Sequence, residues 1–231
     1  ISTRPESKSF MEIMSLLYKA LSSSKSLVFT IVAGTLYHVV LGAAQFEVIW
    51  AVEDKGFNPN TFGQINGWIF VVFGVLGSLF GGIASDWTLR KYNLPRTWFL
   101  LILTLLFMPL AFTRYLDTDS ILFWVGICSS AFSLGCFYGP VFAVIQELVP
   151  PTIKGTVVAF NLLCLNMLGI ALGSILFGIL ADYAVTQGYE NPYTNLLVGF
   201  SCVFLVFGPI LYYLAGRFYE QDKKALIEKF N

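Results

Sequence analysis

Six runs of apolar residues, separated by short polar segments, organise this chain: approximately Leu27–Val52, Phe62–Ser85, Thr97–Tyr115, Ser120–Leu148, Gly155–Tyr183 and Tyr193–Gly216. A helix that crosses a bilayer needs ~20 such residues, so each run predicts one membrane span. Helix-start signals mark several boundaries. Thr61 with Gln64 forms a capping-box pattern before the second span. Pro95 precedes the third, and Asn191-Pro192 opens the sixth with a cap residue and a proline in the first turn. Pro150-Pro151 separates the fourth from the fifth.

The chain divides into residues 1–26 before the spans, a six-helix body over 27–216 and a charged tail over 217–231. In the first segment Ser9 and Glu12 form another capping box. Phe10, Ile13, Met14, Leu17 and Leu21 then fall on one helical face. With Lys19 and Lys25 this face predicts a short helix lying on the inner leaflet, or an ordinary linker helix. The chain opens on Ile and shows no signal peptide, and it is expected to be a fragment of something longer.

Composition agrees with the pattern. Hydrophobic residues make up 56% of the 231 and charged residues 12%, against about 25% charged in a soluble domain. The mean hydropathy is +0.72. The net charge of zero hides segregation, and no basic stripe points to nucleic acid. Cys128, Cys136, Cys164 and Cys202 lie inside apolar runs and are expected to be buried free thiols. One histidine and no metal-ligand spacing exclude a His-based metal site, so no cofactor is expected.

The basic residues set the orientation. One side holds Arg4, Lys8, Lys19, Lys25, Arg90, Lys91, Arg96, Lys154, Arg217, Lys223, Lys224 and Lys229; the other holds only Lys55 and Arg114. Both termini are therefore expected in the cytoplasm, in a bacterial inner membrane.

Gly82-x-x-x-Asp86, followed by Arg90-Lys91, ends the second span. An acid at a membrane edge is costly unless paired and is a functional candidate for that reason. The pattern recurs at Gly178–Asp182, ending the fifth span on the opposite side. Three spans reverse direction, so 27–115 and 120–216 read as inverted three-helix repeats, a building pattern of transporters. In the second span Gly67, Gly74, Ser78, Gly81 and Ser85 share a face, and Gly169 and Gly173 stand one turn apart in the fifth. Such small residues allow close helix packing, static or sliding.

A polar stripe runs along the first span through Thr30, Gly34, Tyr37, His38, Gly42 and Gln45. A weaker one marks the fourth: Ser129, Ser133, Cys136, Phe137 and Pro140, with Tyr138 beside it. These spans hold equivalent places in the two repeats and predict a cavity lined by Tyr37, His38, Gln45, Ser133, Phe137 and Tyr138. His38, the sole ionisable group near a midplane, is either a proton carrier or a neutral imidazole bonded to a neighbouring helix. No Asp, Glu, Lys or Arg occupies a span centre. Glu47 lies near the outer end of the first span. Gly82, Asp86, Arg90, Lys91, Glu147 and Lys154 form a candidate cytoplasmic latch. No Gly-x-Ser-x-Gly nucleophile context and no phosphate loop ending in Lys-Ser/Thr is present, so no enzyme is indicated.

Gly82-x-x-x-Asp86-Trp-Thr-Leu-Arg90-Lys91 resembles the loop motif of the major facilitator superfamily, with Trp87 and Leu89 departing from the usual base and glycine. The second copy is commonly degenerate in that family. The resemblance implies the C-terminal half, helices seven to twelve, of a twelve-helix fold. Asp86 and nearby bases would then hold a cytoplasmic gate against an N-terminal six-helix half. Gly139-Pro140, Gln146-Glu147-Leu148-Val149-Pro150-Pro151, Lys154-Gly155-Thr156, and Asn161, Asn166, Gly169 and Gly173 resemble bacterial members of the spinster branch. That branch is associated with sphingolipid and lysolipid export, and organic-anion and sugar-acid branches share much of the pattern. The function expected is secondary active transport of a lipid-like amphiphile or organic anion by rocking of two halves, with proton or ion coupling. A non-transporting receptor or scaffold on the same fold, and a self-contained six-span dimer, are the alternatives.

Overall fold

The computed structural model describes residues 9–230, and it is helical through nearly all of them. Arg4 and Lys8, counted above among the basic residues, lie outside the described residues. Helix α1 covers Phe10–Ser23, and Glu12 Oε2 accepts from the Ser9 N–H at 3.0 Å, as the capping box requires. Its apolar face divides. Leu17 and Ala20 are buried and Leu21 packs beside them, whereas Phe10, Met11, Met14 and Tyr18 are exposed.

The first span is broken. Helix α2 covers Lys25–Ala44 and the short α3 covers Glu47–Glu53. The chain turns at Gln45 and Phe46, so the apolar run to Val52 is not one helix. The turn carries Trp50 into a second core with Phe57, Phe62 and Phe123. Trp50 Nε1 donates to Thr194 Oγ1 at 2.8 Å. Asp54, just past α3, accepts the Thr194 N–H at 2.6 Å and so caps a helix far along the chain.

Helix α4 covers Pro59–Tyr92. Asn58 is its N-cap, accepting from the N–H groups of Asn60 and Thr61 at 3.0 and 3.2 Å. Thr61 therefore lies inside the first turn, because Asn58-Pro59 supplies the cap and the first-position proline. The helix runs on through Asp86, Arg90 and Lys91 to a left-handed Asn93 (φ 53°). With Trp87 and Leu89 in place of loop formers, the Asp86 motif is helical to its end.

The third span joins α5, Arg96–Phe107, to a 3₁₀ segment, Met108–Tyr115, with Pro109 in its first turn. Helix α6 covers Ile121–Leu148. The fifth span is α7, Lys154–Leu163, a π segment, Cys164–Ala171, and α8, Leu172–Thr186. Helix α9 runs from Pro192 to Phe230, so the charged tail continues the sixth span as helix. Asp222 Oδ2 accepts from Ser26 N at 2.6 Å and from Ser24 Oγ at 3.2 Å, fixing that continuation to the start of α2.

The packing repeats itself in inverted order. Helix α4 lies along α6, as the π segment and α8 lie along α2; the third span lies along α6, as α9 lies along α2; and the third and sixth spans meet. Exchanging the first three spans with the last three leaves these neighbours unchanged. The correspondence reaches single atoms. A Cβ on Gly135 would stand 2.9 Å from Ser78 N and closer to Gly74 O; one on Gly42 would stand 2.8 Å from Ser174 N and closer to Ile170 O. Gly77 would meet the Phe132 carbonyl carbon at 3.0 Å, and Gly173 that of Val39 at 3.0 Å. The sequence offset that carries Gly82 and Asp86 to Gly178 and Asp182 also carries Gly74, Gly77 and Ser78 to Ile170, Gly173 and Ser174. Backbones this close leave no room for side chains, which is how small residues hold membrane helices together. Gly81 joins that contact at Cys136, but a Cβ on Gly67 would meet nothing.

Helix α4 is the least covered span. Only 11% of its apolar window is buried, against 50% for α2. Trp68, Val71, Val75, Leu79 and Ile83 are among its exposed residues. A spanning helix can leave such a face to lipid or to another helical body.

Candidate functional site

Two polar centres stand at opposite ends of the bundle. At the Asp86 end, Arg96 joins three spans. Its Nη2 lies 2.7 Å and its Nε 3.3 Å from Asp86 Oδ1, and its Nη1 donates to Glu147 Oε1. Tyr219 OH, on α9, donates to Glu147 Oε2 at 2.7 Å. The Arg96 side chain is only 11% exposed, against 31% for Glu147 and 48% for Asp86. One guanidinium thus satisfies two carboxylates, a geometry that a lysine ammonium does not reproduce.

This cluster differs from the predicted latch. Among the described residues no ion pair joins Asp86 or Glu147 to Arg90, Lys91 or Lys154. Arg90 and Lys91 continue the α4 helix beyond Asp86 and are exposed. Lys91 Nζ lies 4.6 Å above the Trp87 ring and 5.4 Å from Tyr92. Lys154 begins α7, and Gly82, with no atom near its would-be Cβ, keeps its backbone carbonyl for Ser85 Oγ at 3.1 Å. Positions four and five residues past Asp86 share its helix, whereas Arg96 returns on α5 from beyond the Asn93 cap. A positive charge at the first turn of α5 is unfavourable to the helix dipole, and that is the sequence signal that marks Arg96.

The opposite end holds a cavity of about 60 Å³ lined by Tyr37, Glu47, Phe107, Arg114, Ser130 and Ser133, among others. Arg114 Nη2 lies 2.5 Å from Glu47 Oε1 and 3.4 Å from Ser130 Oγ. Glu47 and Arg114 are 3% and 6% exposed. The Arg114 guanidinium also lies 5.6 Å from the Trp50 ring. Asn66 Nδ2 reaches toward Glu47 Oε2 at 3.5 Å. Among the described residues Arg114 Nε and Asn66 Oδ1 find no partner. Glu47 is carried inward by the break after α2, and Arg114 by the 3₁₀ segment. Two single charges of opposite sign near the same end of apolar runs are the signal in the sequence that marks this pair.

The predicted cavity residues divide. Tyr37 and Ser133 line the cavity, their hydroxyl oxygens 3.3 Å apart. Phe137 is buried and stacks on Tyr37 with centroids 4.6 Å apart. His38 Nδ1 lies 2.9 Å from the Gly34 carbonyl and Nε2 lies 3.1 Å from Tyr138 OH. The carbonyl can only accept, so Nδ1 carries a proton, and both ring nitrogens have partners. Neither His38 nor Tyr138 lines the Glu47–Arg114 cavity. Gln45 is exposed at the turn after α2, away from the cavity. Gly34 and Gly42 of the polar stripe serve contact with the fifth span.

Among the described residues no group of three or more His, Cys, Asp or Glu could hold a metal ion, and the four cysteines are unpaired.

Comparison with known proteins agrees with this architecture. No curated protein matches the chain. Among similar solved structures are two of a bacterial homolog to the human lysosomal transporter Spinster. The inward-facing, occupied form superposes with a TM-score of 0.75 at 15% identity, covering 87% of this chain and 51% of that one. The inward-facing, unoccupied form gives 0.63 at 13% identity, covering 99% and 54%. The chain thus spans about half the length of these structures. The family model described as Major Facilitator Superfamily matches residues 2–174. This multi-pass integral membrane chain, with its six spans and its motif around Asp86, belongs to the major facilitator superfamily.

Proposed function

We propose that the chain is the C-terminal six-helix half of a secondary transporter, with the spans as helices seven to twelve. It works by rocking against an N-terminal half that covers the exposed face of α4. The observation that carries this reading is the pairing of two polar centres. Asp86, Arg96 and Glu147 tie three spans together at one end, and a cavity with a buried ion pair opens the bundle at the other. Alternating access needs a closable end and a polar interior at the junction of two repeats. The half-length match to two transporter structures supports the partner half.

The substrate is a lipid-like amphiphile or an organic anion. The cavity is bounded mostly by apolar and aromatic side chains with a few polar groups, which suits a molecule with an apolar body and a charged head. Both termini lie in the cytoplasm of a bacterial inner membrane, by the excess of bases at the Asp86 end. Transport is coupled to protons or another ion, with no resident cofactor and no catalysis.

The test is flux in proteoliposomes of the intact transporter, comparing lysolipids and sphingoid phosphates with organic anions. Uptake of one class, reduced by Asp86→Asn in protein that still folds, is the expected result. Binding without flux across the whole panel would replace this reading with a receptor.

A further inference from the structure

We infer that Arg114 anchors an anion, the phosphate or carboxylate head of the substrate, and that Glu47 is the internal counter-ion which the anion displaces. The inference deepens the transport reading and rests on it.

The chemistry of the pair leads there. Burying both charges is costly, and a buried ion pair is weak support for a fold, since apolar residues of equal volume serve as well. In a spanning segment such a pair is a functional site by default. Arg114 is 94% removed from solvent relative to an exposed residue, its side chain borders the cavity, and among the described residues its Nε–H has no partner. An arginine fork with an unused donor is suited to a phosphate or carboxylate. Both ligands sit on interrupted backbone, Glu47 after the break in α2 and Arg114 in the 3₁₀ segment. Transporters build substrate sites on such interruptions.

The charge balance gives the second half of the inference. Among the described residues, Glu47 and Arg114 are the only charged side chains lining the cavity. Arg114 and Asn66 contact the Glu47 carboxylate and Ser130 and Tyr37 share its cavity, so among the described residues Arg114 is the one cation that faces it. An anion on Arg114 would leave the Glu47 carboxylate buried beside a like charge. The anion and the Glu47 carboxylate therefore compete for one guanidinium.

The test is calorimetry on the intact transporter in uncharged detergent. The probes are myristoyl lysophosphatidylglycerol, monomyristoylglycerol as its uncharged counterpart, and inorganic phosphate. Arg114→Gln alone strands Glu47 and endangers folding, so the variant is Glu47→Gln/Arg114→Gln, which removes both charges. Loss of one charge-assisted contact corresponds to roughly 10- to 100-fold in Kd. The double variant is expected to weaken lysophosphatidylglycerol by that factor and to bind monomyristoylglycerol unchanged. Glu47→Gln, in protein that still folds, is expected to bind the anion more tightly, because nothing then competes for Arg114. Phosphate binding that the double variant loses extends the site to free anions; no phosphate binding assigns it to headgroups on a chain. Equal loss for charged and uncharged lipids, or anion binding that Glu47→Gln leaves no tighter, overturns the inference while leaving transport intact. A wild type that neither binds nor moves the charged lipid overturns both.

Discussion

Arg96 reaches back across the turn between the second and third spans to Asp86, ten residues earlier, placing Nη2 2.7 Å from Oδ1 while Nη1 holds Glu147. Removing Arg96 therefore strands two carboxylates at once. Asp86 is about half exposed, which discounts its share. Arg96→Gln is expected to cost about 1–3 kcal/mol and to lower the melting temperature of the purified protein. Arg90→Gln, on an exposed residue without an ion pair, should change it little. Equal effects from the two variants would contradict the assignment of Arg96 as the partner.

Tyr219 holds the other oxygen of Glu147 from the sixth span. Tyr219→Phe keeps the ring and removes one charge-assisted hydrogen bond, an expected cost of about 1–2 kcal/mol. In an Arg96→Gln background the loss should change in size, because both residues serve one carboxylate. A double-mutant cycle on thermal unfolding measures the difference, and strict additivity would argue against a shared network.

The Glu47–Arg114 pair gives a sharper contrast. Leaving either charge buried without its partner is expected to cost about 3–5 kcal/mol, as in Arg114→Gln. Glu47→Gln/Arg114→Gln should recover most of that loss. Unfolding midpoints of the two proteins in the same detergent decide it, and a double variant no more stable than the single one speaks against an ion pair.

The inverted repeat makes Gly77 and Gly173 equivalent. A methyl group at either would sit 3.0 Å from a carbonyl carbon of the facing helix, Phe132 or Val39. Gly77→Ala and Gly173→Ala are each expected to destabilise by about 1–3 kcal/mol, through forced separation of tightly packed helices. Gly67→Ala, with open space around it, should be neutral or slightly stabilising. Comparable melting curves for Gly67→Ala and Gly77→Ala would refute the close contact.

Asp222 accepts the Ser26 N–H at 2.6 Å, so a residue of the charged tail caps the first span. Asp222→Ala is expected to cost about 1 kcal/mol. It should also speed proteolysis between α1 and α2. Unchanged cleavage kinetics would mean that the α9 extension does not hold this junction.

The six spans were legible in the chain because a bilayer demands about 20 apolar residues per helix, and that demand is local. The Gly-x-x-x-Asp echo also carried the inverted repeat, since helix-to-helix contact requires small residues at fixed spacing. Span boundaries were less legible. Thr61 looked like a cap because the stronger Asn58-Pro59 start lay just before it. The break after Ala44 had no local breaker: it is set by Trp50 packing into a distant aromatic core.

The chain by itself determined an all-helical, six-span membrane protein of inverted halves and pointed to Asp86 and Glu147. Only the tertiary structure chose their partner. Arg90 and Lys91 are nearer in sequence but share the helix of Asp86, while Arg96 arrives on the next one. It also joined Glu47 to Arg114 and gave His38 hydrogen bonds to the Gly34 carbonyl and Tyr138. Hydropathy is a property of each residue and its near neighbours, so it survives in the sequence. A salt bridge needs two side chains to meet in space, and that meeting is decided by how the helices pack.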